Sequence, residues 1–480
     1  MTLPDGFAVR LSGRTKVCDG GRSLVGGSRG SVLYLSETAV QLMGGRDVLV
    51  ARPGAAATLA RSLLDRGFAD PWWPDAPGED ASVTDVTVVV PVRDRPADLT
   101  RLLDALPPVP VVVVDDGSRD SSAVARVATE HGALVVTHPT SRGPAAARNT
   151  GLRRVATPYV AFCDSDVVPD PGWLATLRRH LDDPALAMVA PRVLGQQPSR
   201  ADGWIDRYEQ ARSSLDLGAE PAAVRQQGIV SYVPSACLLA RVEALGDGFD
   251  ESLQCGEDVD LVWRLVAAGA GVRYEPAATV RHRHRARLAD WLGRKAFYGT
   301  SAAPLADRHG AAVAPMVLSP WSATFAAAVL AQRRWSVPVA LGAAAVGTAG
   351  TARRLRGSER PVRAAAVLTL EGSVAVLWQT AAALTRHYWP LAAVAATGSR
   401  RARRALLVAA VAEGLADRRR VGSDLDPVRY VLARRLDDLA YGTGVWLGAA
   451  RSGSARALLP DVRGLRPGAR RGGPGPTAAM

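Results

Sequence analysis

Two nearly unbroken valine runs constrain the fold of this chain more than any other feature: VTVVVPV at residues 86–92 and VPVVVVDDGS at 109–118. A strand that is apolar at every position is buried on both faces, as in a parallel sheet covered by helices. More elements alternate with these runs, namely strands at 133–138 and 159–166 and helices over 97–106, 120–131 and 143–155. The alternation predicts a doubly wound α/β fold with right-handed βαβ crossovers, whose ligands bind at the carboxyl ends of the strands.

The residues that end these strands are polar and mostly acidic: Pro91-Val92-Arg93, Asp115-Asp116 and Asp164-Ser165-Asp166. No G-x-G-x-x-G follows the first strand and no G-x-x-x-x-G-K-[ST] occurs in the chain, which excludes a dinucleotide cradle and a P-loop. A nucleotide at this edge would be held by carboxylates and a metal, and the D-x-D oxygens suit Mg²⁺ or Mn²⁺. The alternative is that Asp164 and Asp166 only cap a solvated turn.

A helix with small residues precedes the D-x-D segment. In RGPAAARNTGL, Arg148 and Asn149 fall near the middle of the predicted helix. There the arginine can neutralise a phosphate, and the asparagine can hydrogen-bond to a ribose or a sugar. An ordinary amphipathic helix with a solvated arginine would have the same sequence.

Another acidic group lies downstream, where Glu257, Asp258 and Asp260 open a helix in GEDVDLVWRL. Carboxylates at a helix amino terminus are stabilised by the macrodipole, which explains them structurally. A carboxylate in that place is also oriented to act as general base on an incoming hydroxyl. His282 and His284 alternate on the next predicted strand, so at most one of them faces the site.

Eight segments in this order resemble the family 2 inverting glycosyltransferases of GT-A fold: PVRDR, VVDDGS, GPAAARNTG, AFCDSD, VPSACLLAR, GFDESL, GEDVDLVWRL and P-x-x-x-V-x-H. The resemblance covers roughly residues 85–285. It implies a UDP- or GDP-sugar donor, a divalent metal, and in-line displacement at the anomeric carbon by an acceptor hydroxyl that a carboxylate deprotonates.

The resemblance also implies a role for each matching residue. The nucleoside base would be held by Pro91, Val92, Arg93 and Asp116, with Asp115 stabilising that loop. The diphosphate and sugar would lie by Arg148 and Asn149, and the ribose by Asp164. The metal would be bound by Asp166 and approached by His282. The catalytic base would be Asp258, preceded by Glu257 as the other member of the acid pair.

Within that family, the whole chain is similar to the glycosyltransferases of mycofactocin systems. That similarity implies glucose transfer from UDP-glucose onto a peptide-derived cofactor precursor, with β-1,4 linkages. Residues 1–80 read as a separate α+β unit, in which YLSETAVQLM and TLARSLLDRGFADP resemble the PqqD-like winged-helix modules that recognise peptides. A small structural cap would give the same pattern.

The carboxyl-terminal third differs in charge and composition. Residues 301–480 contain 25 arginines and 10 acidic residues, a net charge of +15 within a chain whose total is +13, so residues 1–300 are slightly acidic. The arginines punctuate apolar runs, including charge-free stretches at 309–332 and 335–352, and no nucleic-acid-binding signature accompanies them. We therefore expect an Ala-rich helical region at 301–460 that attaches to a membrane surface, with no nucleic-acid partner. A soluble helical bundle is the alternative.

Localisation follows from the absence of other signals. The opening MTLPDGFAVRLSGR has no apolar h-region, and the four cysteines show neither disulfide nor zinc spacing. We expect a chain at the cell membrane with its catalytic domain, 84–300, facing the cytoplasm, and a disordered tail at 461–480. Two competing functions remain at this point: a membrane-bound transferase acting on a lipid or cell-wall glycan, and a non-catalytic nucleotide-sugar or peptide-binding protein.

Overall fold

In the computed structural model, which describes residues 1–28, 31–75, 83–196, 203–283 and 287–463, a small α+β module comes first. Its elements are β1 (Ala8–Leu11), β2 (Lys16–Cys18), β3 (Ser23–Gly26), β4 (Ser31–Tyr34), α1 (Glu37–Met43), β5 (Val48–Val50), α2 (Ala55–Arg66) and β6 (Ala69–Pro71). The strands form two antiparallel sheets, in the orders β5-β1-β6 and β2-β3-β4. The helix predicted after Ser36 is present, because the Ser36 hydroxyl accepts a hydrogen bond from the N–H of Ala39 at 3.2 Å and caps α1.

The valine runs form the centre of a nine-stranded mixed sheet. Its strands are β7 (Val86–Val92), β8 (Val111–Asp116), β9 (Leu134–His138), β10 (Tyr159–Cys163), β11 (Val167–Pro169), β12 (Leu186–Gly195), β13 (Ala222–Ala223), β14 (Cys237–Arg241) and β15 (Gly271–His282). The order is β11-β15-β12-β14-β10-β7-β8-β9, with β13 beside β15. The four strands predicted as a parallel sheet, β9-β8-β7-β10, are parallel, whereas β14 pairs antiparallel with β10 and makes the sheet mixed.

In the described parts of residues 96–267, seven α-helices alternate with the strands along the chain: α3 (Pro96–Asp104), α4 (Ser121–Glu130), α5 (Pro144–Leu152), α6 (Trp173–Arg178), α7 (Trp204–Arg212), α8 (Val242–Leu245) and α9 (Glu257–Ala267). The buried core joins the strands to α3 and α6, with side chains such as Val88, Leu99 and Leu177 fully enclosed. Asp164 and Asp166 follow β10 in the turn to β11, so the acidic pair lies just beyond the strand end.

The amino-terminal module packs on the sheet domain through charged and aromatic contacts. Arg61 Nη1 donates to both carboxylate oxygens of Asp183, at 2.8 and 2.7 Å. Trp73 lies edge-on against the ring of His180, with centroids 4.7 Å apart, and also contacts Phe7 of the module. Trp73 therefore joins the module to the sheet domain, and residues 76–82 that follow lie outside the described residues.

The rest of the chain is mainly helical. It contains α10 (Leu288–Thr300), α11 (Ala302–His309), β16 (Val317–Leu318), α12 (Pro320–Ala331), α13 (Ser336–Arg354), α14 (Pro361–Ala382) with a π-helical turn at Ala383–His387, α15 (Trp389–Gly398), α16 (Arg400–Val421), α17 (Pro427–Ser452) and β17 (Asp461–Val462). Close helix packing depends on Gly444 of α17, where an added Cβ would lie 1.9 Å from the carbonyl oxygen of Ala296 on α10. The predicted tail lies, from residue 464 on, outside the described residues.

The apolar runs noted in the sequence do not give the longest apolar helix. The run at 309–332 spans the end of α11, β16 and α12, because Pro315 cannot continue a helix and Pro320 stands at the first position of a new one, α12. Within the described residues, one helix is long and apolar enough to cross a membrane, Pro361–His387, with a mean hydropathy of 1.4. Its sequence contains Arg363 and Glu371, so it is not a charge-free run.

The chain divides into two compact units. The first comprises Met1–Ala201 and Arg212–His284, and the second comprises Asp202–Ala211 and Arg285–Met480. Helices α7 and α10 lie within the range predicted for the sheet domain, but they belong to the second unit, where Tyr208, Trp291 and Tyr430 share a buried cluster. The boundaries drawn at residues 80, 300 and 460 remain predictions.

Candidate active site at the carboxyl edge of the sheet

Arg148 brings two distant acidic segments together. From the middle of α5, its Nη2 donates to Asp164 Oδ1 at 2.6 Å and its Nη1 donates to Glu257 Oε1 at 2.9 Å. The arginine is buried, and although burial opposes its charge, the carboxylates of Asp164 and Glu257 raise its pKa. The pKa of Asp164 is also raised, by burial and by the charge of Asp166 acting against the attraction of Arg148. One guanidinium thus joins the D-x-D turn to the start of α9.

Asp258 lies beside this ion pair at the amino terminus of α9. Its Oδ2 accepts a hydrogen bond from the Ser235 N–H at 3.1 Å, and its Oδ1 accepts one from the Val259 N–H at 2.8 Å. Burial, and then the charge of Glu257, raise its pKa to about 6. A carboxylate with this pKa is ionised at neutral pH and accepts a proton more readily than a solvated aspartate.

Asp166 is held near His282 by strand pairing. Strand β11 pairs antiparallel with β15, with Val167 opposite His282, and the backbone N–H of Arg283 donates to the Asp166 carbonyl. His282 Nε2 lies 3.5 Å from Asp166 Oδ1, and Arg95 makes an ion pair with Asp166 Oδ2. His284, the other histidine of the alternation, lies outside the described residues.

The two aspartates that end β8 have different environments. Asp116 accepts four hydrogen bonds, from His138 Nδ1, the Ser141 hydroxyl and the N–H groups of Arg142 and Gly143, at 2.7 to 2.9 Å. Burial acts to raise its pKa, but these hydrogen bonds lower it overall. Asp115 accepts one from the Ser118 N–H at 3.0 Å. In the described part of the chain its Oδ2 is buried without a hydrogen-bond partner.

Both aspartates hold backbone in this structure: Asp115 contacts the turn at Ser118, as predicted for its loop, and Asp116 holds a second segment. Asp116 fastens the segment 141–143, and Arg93 joins the same network through a 3.1 Å hydrogen bond to the Ser141 hydroxyl. A nucleoside base could contact Asp116 only by replacing one of its present bonds. Pro91 and Val92 end β7 next to β8, with Val92 paired to Asp115.

Asn149 also has an internal role that the sequence did not indicate. Its amide donates to the Phe249 carbonyl at 2.8 Å and to Glu251 at 3.0 Å, and its Oδ1 accepts from the Phe249 N–H at 2.9 Å. Gly248 has a φ of +76°, and an added Cβ would lie 2.4 Å from Asn149 Oδ1. The side chain predicted to contact the sugar thus clamps the GFDESL loop.

Several residues of the site were not singled out in the sequence. Arg95 falls within the PVRDR segment, and Ser141 immediately precedes RGPAAARNTG, so both lie in or beside recognised motifs. His138 and Ser235 act through the hydrogen bonds they make to Asp116 and Asp258, and no sequence pattern marks such contacts.

The chain is similar in sequence to known glycosyltransferases. Residues 87–249 match the family described as Glycosyl transferase family 2. The pre-mycofactocin glycosyltransferase of Mycobacterium tuberculosis strain H37Rv is 45% identical over 486 residues, covering 96% of this chain and 99% of the relative. The succinoglycan biosynthesis protein ExoU of Rhizobium meliloti is 31% identical over 202 residues, covering 40% of this chain and 59% of ExoU.

Among solved structures, a mannosyltransferase from Pyrobaculum calidifontis in complex with GDP-Man and Mn²⁺ has 21% sequence identity and a TM-score of 0.37. The match covers 65% of this chain and 90% of that chain. The likeness to the mycobacterial relative, by contrast, extends over nearly the full length of both proteins.

Proposed function

Because the chain belongs to the pre-mycofactocin glycosyltransferases of glycosyltransferase family 2, we propose that it transfers glucose from UDP-glucose to premycofactocin and builds a β-1,4-linked oligoglucoside. The observation that carries the proposal is the position of Asp258 at the start of α9, beside the Arg148 bridge between Glu257 and Asp164. A base with a raised pKa thus lies next to the turn that would hold the donor.

In this proposal Asp258 accepts the proton of the acceptor hydroxyl as that oxygen attacks the anomeric carbon. The hydrogen bonds from the Ser235 and Val259 N–H groups orient its two oxygens. Attack from the side opposite the leaving diphosphate inverts the anomeric centre. Glu257, with Arg148 as its partner, keeps a negative charge beside Asp258 that favours proton uptake.

The residues around Asp166 fit a divalent metal held jointly with a diphosphate. Among the described residues no group of three His, Cys, Asp or Glu side chains is placed to hold a metal by itself. Asp166 and His282 supply two donors, and Mg²⁺ or Mn²⁺ commonly takes one or two protein ligands and completes its shell with phosphate oxygens and water. When bound, such an ion neutralises charge on the leaving diphosphate.

For the nucleoside we propose contacts from Pro91, Val92, Arg93 and Asp115. Asp115 is preferred to Asp116 because its buried Oδ2 has no partner in the described residues and can accept a hydrogen bond from a base N–H. Asp164 is assigned to the ribose.

The proposed function predicts metal-dependent glucose transfer. The full chain with UDP-glucose, Mn²⁺ and premycofactocin should yield glucosylated product by mass spectrometry, and EDTA should abolish it. Asp166→Asn should require at least about tenfold more Mn²⁺ for half-maximal rate, because a metal ligand is weakened. Transfer that persists in EDTA would contradict the metal role, and transfer only to a lipid-linked acceptor would favour the lipid or cell-wall alternative.

A second prediction concerns pH. Asp258 must be ionised to accept a proton, and its pKa is raised to about 6. We expect kcat/KM to fall about tenfold per pH unit below about 6 and to be level above it. Glu257→Gln removes the neighbouring negative charge and should move the break to lower pH. A level profile between pH 5 and 8 would contradict this assignment.

We also propose that the helical unit attaches to a membrane. Charged side chains are buried inside it: Arg434 contacts Glu413 at 2.8 Å and Asp438 at 2.6 Å. Large apolar side chains are exposed instead, including Val337, Leu341, Val346, Leu370, Val374 and Val394. This is the reverse of a water-soluble bundle and suits an apolar surrounding. Arginines at 400, 401, 403 and 404 suit the cytoplasmic leaflet, and they support the proposal that the catalytic domain faces the cytoplasm.

Membrane attachment predicts co-sedimentation of the full chain with vesicles of phosphatidylglycerol and phosphatidylcholine. The double substitution Leu370→Glu and Val374→Glu on α14 should reduce binding at least about tenfold, since charge at an apolar surface is costly in lipid. Leu134→Glu, on exposed β9 of the other unit, is the matched control and should bind as the wild type does. Wild-type protein that stays in the supernatant at all lipid concentrations would overturn the proposal.

The N-terminal module is proposed to take part in recognising the peptide-derived acceptor. Its fixed attachment through Arg61 and Asp183 supports a module that holds a defined place beside the sheet domain. Its likeness to PqqD-like modules remains a prediction.

A further inference from the structure

Arg95 forms an ion pair with Asp166, the carboxylate that is proposed to bind the metal. Its Nη1 is paired with Oδ2 of Asp166, while His282 Nε2 lies 3.5 Å from Oδ1 of the same side chain. A divalent ion that binds Asp166 must therefore share the carboxylate with a guanidinium or displace it. Two cations that share one carboxylate repel each other, so each of them weakens the binding of the other.

The loop before α3 holds Arg95 in this place. Asp94 has a φ of +57°, a conformation that is uncommon for a residue other than glycine. It is kept there by the turn after β8: the Asp94 N–H donates to the Ser118 hydroxyl at 2.9 Å, and the Arg119 N–H donates to Asp94 Oδ1 at 2.8 Å. These contacts fix the backbone of Arg95, but its side chain is 36% exposed and can rotate without opening the core.

We propose that Arg95 is a positioning residue that makes metal binding depend on the nucleotide. In the free protein it neutralises Asp166 and disfavours a metal ion that arrives alone. A diphosphate supplies Arg95 with a second anionic partner, so that Asp166 is released to the metal. The inference rests on the proposed function, because it takes a nucleoside diphosphate and a divalent ion as the ligands of this edge.

The same contact has a purely structural reading, in which Arg95 only ties the start of α3 to the D-x-D turn. The two readings differ in what they predict for metal affinity. A structural tie predicts unchanged or weaker Mn²⁺ binding when Arg95 is removed. A competing cation predicts tighter binding without nucleotide, and by linkage a smaller effect of nucleotide on the metal.

The test measures Mn²⁺ binding to the full chain by electron paramagnetic resonance, with and without saturating UDP. Arg95→Gln should bind Mn²⁺ alone about tenfold more tightly than the control, because a difference of about 1.4 kcal/mol in repulsion is a factor of ten in affinity. The enhancement by UDP should shrink by about the same factor. Arg95→Lys keeps the charge, so its Mn²⁺ affinity should remain close to that of the wild type. Arg95→Ala also removes the charge, and its Mn²⁺ affinity should change as in Arg95→Gln.

The matched control is Arg101→Gln. Arg101 lies on α3, the helix that follows Arg95; it is partly exposed and pairs with Asp98, so its loss changes the net charge equally. Equal Mn²⁺ affinity in Arg95→Gln and Arg101→Gln without UDP, or weaker binding in Arg95→Gln, would overturn the inference while leaving the proposed function intact. A wild-type chain that binds Mn²⁺ neither alone nor with UDP would overturn both.

Discussion

Asp258→Asn should lower kcat for glucose transfer by about a thousandfold while leaving the affinity for UDP close to that of the wild type. Asparagine keeps the size of the side chain but cannot accept the proton of the acceptor hydroxyl, and general-base catalysis typically contributes 10²- to 10⁴-fold. The donor lies with Asp115, Arg93 and Asp164 in the proposed site, so its binding does not need Asp258. Initial rates and UDP titration calorimetry measure the two quantities separately.

Asp247→Asn is the control for this substitution, because Asp247 is exposed, immediately precedes GFDESL and is not one of the proposed site residues. Its transfer rate should match the wild type. If Asp258→Asn retains more than about a tenth of the rate, another group is the base. If it loses rate and UDP affinity together, Asp258 shapes the donor site and is not only a proton acceptor.

Arg148→Met should lower the free energy of unfolding by about 3 kcal/mol. The side chain is 3% exposed and makes ion pairs with both Asp164 and Glu257. Its loss therefore removes the arginine partner of two carboxylates at once. Breaking a buried ion pair from one side typically costs about 3–5 kcal/mol, and the partial exposure of Asp164 moves the expectation to the low end. Urea unfolding followed by circular dichroism measures the change.

Arg153→Met on the carboxyl end of the same helix serves as the comparison. Arg153 is exposed and donates to the Thr150 hydroxyl at 2.9 Å, so its replacement should change stability by no more than about 0.5 kcal/mol. Arg148→Lys keeps the positive charge, but a lysine lacks the guanidinium group that contacts both carboxylates. Its free energy of unfolding should fall between those of Arg148→Met and Arg153→Met. Equal stability of Arg148→Met and Arg153→Met would show that the bridge contributes nothing to folding.

The core of the fold could be predicted, because apolar strands and the helices between them are visible as local patterns in the sequence. Strand β7 coincides with the predicted run at 86–92, and the parallel order of β7 to β10 follows from valine strands separated by helices. The start of α9 at Glu257 was also predicted, since acidic residues favour a helix amino terminus. The antiparallel strand β14 could not be derived, because the run CLLAR carries no information about its partner.

The roles of particular polar side chains depend on tertiary contacts, which cannot be read from the order of residues in the chain. Asp115 and Asp116 are adjacent and chemically identical, yet the first keeps a buried oxygen without a partner and the second accepts four hydrogen bonds. Asn149, which was predicted to contact the sugar, also holds the backbone of Phe249, 100 residues away in the sequence.

The amino-acid sequence by itself determined the family, the glycosyltransferase chemistry and the strand ends at which acidic residues gather, because motif order and apolar periodicity are properties of the chain. Only the tertiary structure decided that Arg148 joins Asp164 to Glu257, that Arg95 pairs with Asp166, and that the helical unit buries charge while exposing apolar side chains. The reason is physical: a side chain's partner is set by which segments packing brings within about 3 Å, and hydrogen bonds of that length join residues far apart in sequence.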